Sequence, residues 1–362
     1  MPDGVWVTAG TLTLPYGTLR TIHEGVSEVR VKENLRTGLK RVAKRMSLLG
    51  REDTLAMNEV AFLREIDHQN VARVFDVAEV AGSDTALAEV EIIMPYYEKG
   101  SLYGAMARGE RFSSGQARDL TVKALRGLAH LHDQGRILHR DLKPGNLFLA
   151  NDESLVKIGD FGEPVRMDEK GTAEPLLHPQ YWPAPETFNG SRYAVTAEIF
   201  SVGMSFREVL SGLYPYDDYT REELAKRLSK NQRALRDQHL ECAAHVPTSL
   251  RLIAQRASHR SVNRRYQTAD AMLEALLSAR FVDWQWPIGD DDAQISWTGA
   301  WHGEQLRIFV QSVRGQGWRS QGLRQCPSGW RRLSGCPDAD AQTPLEAASK
   351  VFSQKWFSIS VL

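Results

Sequence analysis

The sequence predicts an α+β protein in three parts: a β-rich N-terminal part, a helical middle and a smaller α+β part at the C-terminus. Three observations predict it. Between Thr18 and Met46, short runs with strand character are separated by the turn signals Glu24-Gly25 and Arg36-Thr37-Gly38. Farther along the period becomes helical, with Leu120, Ala124, Leu128 and Leu131 on one stripe. Beyond Phe281 the composition changes, and seven of the nine tryptophans lie there.

The elements follow in order. Residues 1–20 read as a strand or two with turns, and residues 1–17 are treated as an N-terminal extension. Three strands follow up to Met46. A helix is expected over 54–66, with Ala56, Val60, Leu63 and Ile66 near one stripe, ended by Asp67-His68-Gln69-Asn70-Val71. Residues 71–98 give two or three strands. A short helix near 101–108 precedes a long one over 113–134, with Ser113 or Ser114 as N-cap and Gly135 closing it. Near the C-terminus, Thr343-Pro344-Leu345-Glu346 reads as N-cap, first helical position and capping-box partner of a helix. A final strand is expected from Trp356 to Leu362.

Composition excludes several classes. The chain has 362 residues, 42% hydrophobic and 25% charged, with Lys+Arg and Asp+Glu balanced at 45 each, so whole-chain charge points to neither nucleic acid nor membrane. Three cysteines, Cys242, Cys326 and Cys336, cannot build a disulfide framework, and no N-terminal signal is legible. No apolar stretch has the length of a membrane span. A cytoplasmic location is the expectation.

The chemistry concentrates in His139-Arg140-Asp141-Leu142-Lys143-Pro144-Gly145-Asn146. An acid, a cation and an amide stand there at close spacing, with a proline stiffening the loop. Val156-Lys157-Ile158-Gly159-Asp160-Phe161-Gly162 follows, and Ala184-Pro185-Glu186 comes later. In this order the three pieces resemble the catalytic loop, DFG and APE of the eukaryotic-like protein Ser/Thr kinases.

The resemblance covers about residues 18–280 and implies a bilobal protein kinase fold. The small lobe is expected over about 18–94 and the large lobe over about 98–280. It implies ATP and Mg²⁺ (with Mn²⁺ as an alternative ion) and a protein substrate bearing a serine or threonine. Asp141 would act as base toward the acceptor hydroxyl, and Lys143 would balance charge on the moving phosphoryl group. Asn146 and Asp160 would hold the metal. In the small lobe, Lys44 matches the lysine for the phosphates, with Lys40 as the alternative, and Glu59 its helix partner. Met94, Pro95 and Tyr97 match the hinge beside the adenine. The glycine-rich loop is degenerate: only Gly25 and a valine over the adenine, Val29, remain, and Glu28 stands in place of the third glycine.

The resemblance also implies supporting roles. His139 would orient the loop and pack under Phe161, next to Gly162. Arg140 would read a phosphate on the activation loop, for which Thr172 is the candidate autophosphorylation site. Glu186 would pair with Arg265. Glu198 stands for the aspartate that tethers the catalytic loop, with one extra methylene. Pro179 replaces the threonine expected before the APE. The complete set of catalytic groups favours an active enzyme, while the degenerate glycine loop favours a pseudokinase that binds partners.

Residues 281–362 resemble no named family and read as a Trp-rich α+β accessory domain, regulatory or targeting in role. From Arg307 to Arg332 there are six arginines and no acidic residue, with Trp318 and Trp330 between them. A nucleic acid or acidic partner could use this face. A solvated sheet face over a tryptophan core is the simpler reading.

Overall fold

In the computed structural model the described residues are 16–24, 27–47, 62–79, 89–150, 156–161, 164–174, 181–291, 294–314, 316–333 and 339–352. They form two compact units. One runs to Asp67 and includes Ala72–Tyr96; the other comprises His68–Val71 and everything from Tyr97 onward.

The first unit is an antiparallel sheet of β1 (Tyr16–Glu24), β2 (Ser27–Asn34), β3 (Lys40–Ser47), β4 (Asp76–Glu79) and β5 (Glu89–Pro95), in the order β1-β2-β3-β5-β4. The β2–β3 turn is set by Asn34, whose Oδ1 accepts from the Arg36 and Thr37 amides at 3.0 and 3.1 Å. Gly38 completes it at φ +69°. Strand alternation sorts the two faces. Val31, Ile92 and Met94 are buried on the face that carries Lys44. On the other face Glu91 binds Lys32, Arg30 and Arg45 at 2.9, 3.3 and 3.4 Å. Burial alone would raise the Glu91 carboxyl; these cations outweigh it and hold it below its ordinary value. Of the helix expected over 54–66, residues 54–61 lie outside the described residues. Phe62–Glu65 form a single 3-10 turn.

The second unit opens with α1 (Leu102–Ala107) and α2 (Ser114–Asp133). Ser113 is the N-cap of α2. Its hydroxyl accepts from the Gln116 amide at 3.1 Å, and the Gln116 side chain accepts from the Ser113 amide at 2.8 Å. The predicted stripe Leu120, Ala124, Leu128 and Leu131 is buried. Next come β6 (Ile137–Leu138), β7 (Leu147–Leu149), β8 (Val156–Ile158), β9 (Val165–Arg166), β10 (Thr172–Ala173), α3 (Pro185–Phe188) and β11 (Tyr193–Ala194). They lead to α4 (Val195–Ser211), which is buried from Ala197 to Leu210 and forms the core of the unit. Around it lie α5 (Arg221–Ser229), α6 (Thr248–Ala257) and α7 (Ala269–Ser278).

The C-terminal sheet contains β12 (Asp283–Trp284), β13 (Ile288–Asp291), β14 (Gln294–Trp301), β15 (Glu304–Val313), β16 (Gly317–Cys326), β17 (Gly329–Arg332) and β18 (Ala339–Ala341). Its order is β12-β14-β15-β16-β17, with β13 on β14 and β18 on β16. Helix α8 (Pro344–Phe352) packs Ala347, Ala348, Val351 and Phe352 into one core with Trp284, Trp297, Leu306, Ile308 and Val310. Gly299 allows the close approach of Trp284, since a Cβ there would lie 2.5 Å from the indole. Thr343 caps α8 by accepting from the Glu346 amide at 3.2 Å. The returning bond of Glu346 goes to the Gln342 amide at 3.3 Å, one residue earlier than a capping box requires. On β15, Arg307 alternates with the buried Leu306 and Ile308, and its guanidinium lies 4.6 Å over the Trp330 ring. Cys336 and the strand expected over 356–362 lie outside the described residues.

Candidate active site

The 139–146 loop is held by bonds from three elements. Arg140 has φ +65°, in the left-handed region that non-glycine residues rarely adopt. Its amide donates to Glu198 Oε1 on α4 at 2.6 Å. The other carboxylate oxygen of Glu198 meets His132 Nε2, near the end of α2, at 2.7 Å. Glu198 is fully buried, so its two oxygens join α2, the loop and α4 away from water. The extra methylene at 198 therefore leaves the tether in place.

His139 is also fully buried. Its Nδ1 lies 3.3 Å from the Asp141 amide and its Nε2 3.0 Å from the Gly159 carbonyl. Those partners select the tautomer with the proton on Nε2. The ring packs against Phe161 at 5.3 Å between centroids.

These bonds fix the orientation of Asp141. Its Oδ2 accepts from Lys143 Nζ at 2.8 Å and Asn146 Nδ2 at 2.9 Å, and Asn146 Nδ2 also reaches the Asp141 carbonyl at 2.7 Å. Oδ1 makes no hydrogen bond among the described residues, which leaves one carboxylate oxygen as an acceptor. Both donors of the Asn146 amide group point inward, and its amide oxygen likewise has no partner among the described residues. The Gly159 amide donates to the Asn146 carbonyl at 3.0 Å, which ties Asp160, at φ +60°, to the same strand end. Hard oxygen donors of this kind suit a divalent cation such as Mg²⁺.

The other expected residues of the second unit fall as follows. Arg265 grips Glu186 with two bonds of 2.6 and 2.7 Å. Thr172 lies in β10, with its hydroxyl donating to Asp168 Oδ2 at 2.8 Å. Tyr97 stacks on Phe148 at 5.6 Å, and its carbonyl accepts from the Gly100 amide at 3.0 Å. Gly162 and Pro179 lie outside the described residues. Two features carried no sequence signal specific enough to find. Asn70 sends its amide to the Val156 carbonyl at 2.9 Å, fixing β8 ahead of Asp160. Glu208 accepts from Trp182 Nε1 at 3.1 Å, the Tyr214 amide at 3.3 Å and the Tyr216 hydroxyl; burial nonetheless pushes its carboxyl up to about 8.

In the first unit Lys44 is buried and lies in register between Val29 on β2 and Ile92 on β5. Glu28 pairs with Arg45, so the residue beside Lys44 is Val29. Val31 stands two positions along, opposite Val42, which in turn pairs with Met94, and is 3% exposed. Pro95 pairs with Arg41 at the end of β5. Glu59 and Gly25 lie outside the described residues.

Comparison with known proteins identifies the family. Residues 21–277, well over half of the chain, match the model of the protein kinase domain. The chain is 32% identical over 175 residues to MAP3K epsilon protein kinase 2 of Arabidopsis thaliana, covering 47% of this chain and 12% of that protein. It is 28% identical over 177 residues to the serine/threonine-protein kinase ATG1b of the same plant, covering 48% and 24%. With a probable serine/threonine-protein kinase of Dictyostelium discoideum the figures are 30% over 182 residues, covering 50% and 34%. The chain thus spans about a third or less of the length of each of these relatives. No described helix is long and apolar enough to cross a membrane. With the loop geometry and the match over 21–277 together, the chain belongs to the protein kinase domain family.

Proposed function

We propose that this chain is a protein serine/threonine kinase that transfers the γ-phosphoryl group of ATP to a hydroxyl of a protein substrate. The observation that carries this reading is the Asp141 carboxylate, held on one oxygen by Lys143 and Asn146 with the other left to accept. In the transfer the acceptor oxygen forms a bond to the γ-phosphorus, the bond to the bridging oxygen of ADP breaks, and the hydroxyl proton passes to Asp141. Lys143 offsets charge on the transferring group. Asn146 and Asp160 would hold Mg²⁺, which when bound neutralises phosphate charge. Lys44, with Glu59 as its partner, would meet the phosphates, and Met94, Pro95 and Tyr97 would line the adenine. Val31 fits the valine position over the base better than Val29, because it shares a face and a layer with Met94. Residues 281–362 would act as an accessory domain, regulatory or targeting in role.

The degenerate glycine loop favours a second reading, a partner-binding pseudokinase. Incubation of the protein with labelled ATP and Mg²⁺, alone and with a generic basic protein, beside Asp141→Ala, separates the two. Label on serine or threonine above the level of the variant supports transfer. Label no higher than that of the variant on either protein rejects it.

A further inference from the structure

The stretch from Val165 to Glu174 is tied down by charge and by strand pairing. β9 pairs with β6, and β10 pairs with β11 through Thr172↔Ala194 and Ala173↔Tyr193. Asp168 closes the turn between them. Its Oδ1 accepts from the Lys170 and Thr172 amides at 2.9 and 2.8 Å, and its Oδ2 accepts the Thr172 hydroxyl at 2.8 Å. The Asp168 carbonyl accepts from Arg136 at 2.6 Å.

Arg192, just before β11, closes over this turn. It donates to Asp168 Oδ2 at 2.9 Å, to Thr172 Oγ1 at 2.8 Å and to the Glu174 carboxylate. Arg140 of the catalytic loop adds a bond to the Glu174 carbonyl at 3.3 Å. The Thr172 amide first, and then its hydroxyl and Arg192, hold the Asp168 carboxyl below its ordinary value against the effect of burial.

A guanidinium so placed suits a phosphate, with planar donors able to take two oxygens at once. Two side chains of the chain itself already fill that role. A phosphate on Thr172 would replace the donated hydrogen by a charge of about −2 beside a carboxylate that the hydroxyl now contacts at 2.8 Å. It would also compete for Arg192, which binds both carboxylates. We infer that Arg192 is a positioning residue that orders the 165–174 segment through Asp168 and Glu174, so that activity needs no phosphate on Thr172 and is opposed by one. This rests on the kinase reading above and reverses the activating role expected for Thr172 from sequence.

The experiment uses the full chain treated with a phosphatase, with loss of phosphate checked by mass spectrometry. Two readouts are taken: labelling of a basic protein substrate, and hydrogen exchange of the peptide covering 165–174. The dephosphorylated protein should label substrate at least as fast as untreated protein. Arg192→Glu should speed exchange in that peptide and lower kcat/KM by about tenfold to a hundredfold, the scale of a misplaced substrate. Arg192→Lys, which keeps the charge and loses the fork, should recover part of both effects. Thr172→Glu should behave like Arg192→Glu. Loss of activity on dephosphorylation, regained with phosphate on Thr172, would overturn the inference, as would unchanged exchange in Arg192→Glu. If no form of the chain transfers label, the kinase reading fails while the exchange data still decide whether Arg192 orders the segment.

Discussion

Replacing Arg265 by Met removes a cation whose side chain is fully buried, against a Glu186 side chain that is 16% exposed. The guanidinium makes the fork on Glu186 and also donates to the carbonyls of His259, Thr196 and Arg260 at 2.6, 3.0 and 3.2 Å. It lies 4.7 Å over the Phe200 ring. Met keeps an apolar stem over that ring but leaves a carboxylate and three carbonyls without their donor. Breaking a buried pair by removing one partner costs about 3–5 kcal/mol. The Arg324–Glu304 pair, at 3.4 Å and about half-exposed on both sides, makes a control worth about 0–1 kcal/mol. At about 2–4 °C per kcal/mol for a unit of this size, Arg265→Met should lower the melting midpoint by about 10 °C. Arg265→Lys should fall between, since it keeps charge without the planar fork. Adding Glu186→Gln to Arg265→Met should recover part of the loss, because no bare charge then stays near the core. Thermal unfolding followed by circular dichroism measures each step. A loss for Arg265→Met no larger than that for Arg324→Met would refute the assignment of this pair as a principal fastening of the APE helix.

Three further outcomes follow from the geometry. Glu208 keeps a proton in the folded chain that the unfolded chain releases above about pH 4.5, so its contribution is full below that pH and is lost as pH rises toward about 8. His245, which burial and Arg251 hold down to about 4, acts in the opposite sense between about 4 and 6.5. The fall is therefore cleanest between about pH 6.5 and 8, where Glu208→Gln should flatten a slope on the order of 2 kcal/mol in stability measured by denaturant titration. Trp286→Ala loses the indole bond to the Phe112 carbonyl at 2.9 Å and the ring contact with His245 at 5.0 Å, and should cost about 2–3 kcal/mol in thermal stability; an unchanged midpoint would show that this contact does not help hold the C-terminal sheet. Gly299→Ala drives a methyl into the Trp284 ring and should cost about 1–3 kcal/mol by the same assay, with no loss meaning that the ring shifts freely.

How much was legible in the sequence depended on whether chemistry or packing chose the residue. The 139–146 loop was legible because Asp141, Lys143 and Asn146 are close in sequence, and the loop brings their side chains within 2.9 Å. Ser113 was legible as a cap because a helix N-terminus needs an acceptor and only two serines offered one. The Glu186–Arg265 pair joins residues 79 positions apart and came from the family pattern, since nothing local in either segment points to the other. Strand register was harder. A degenerate loop that keeps only Gly25 gives little to anchor the count, so the sequence alone could not show that Val29 faces Lys44 and Val31 faces Val42.

Of the two electrostatic hubs, Glu198 came from the family pattern, whereas Glu208 was the least legible, because a buried carboxylate looks like any other acid in a sequence. Glu198 and Glu208 lie on one helix and are both fully buried, yet they do different things. Glu198 meets one imidazole and one strained loop amide with its two oxygens, which ties catalytic-loop geometry to α2 and α4. Glu208 meets an indole, an amide and a phenol from the segments that flank it. Ten positions apart on α4, the two carboxylates act at opposite ends of one rigid rod. Disturbing Glu198 should therefore change the geometry of the 139–146 loop, whereas disturbing Glu208 should change the packing of Trp182 and Tyr216. That division follows from burial and hydrogen bonding rather than from residue type.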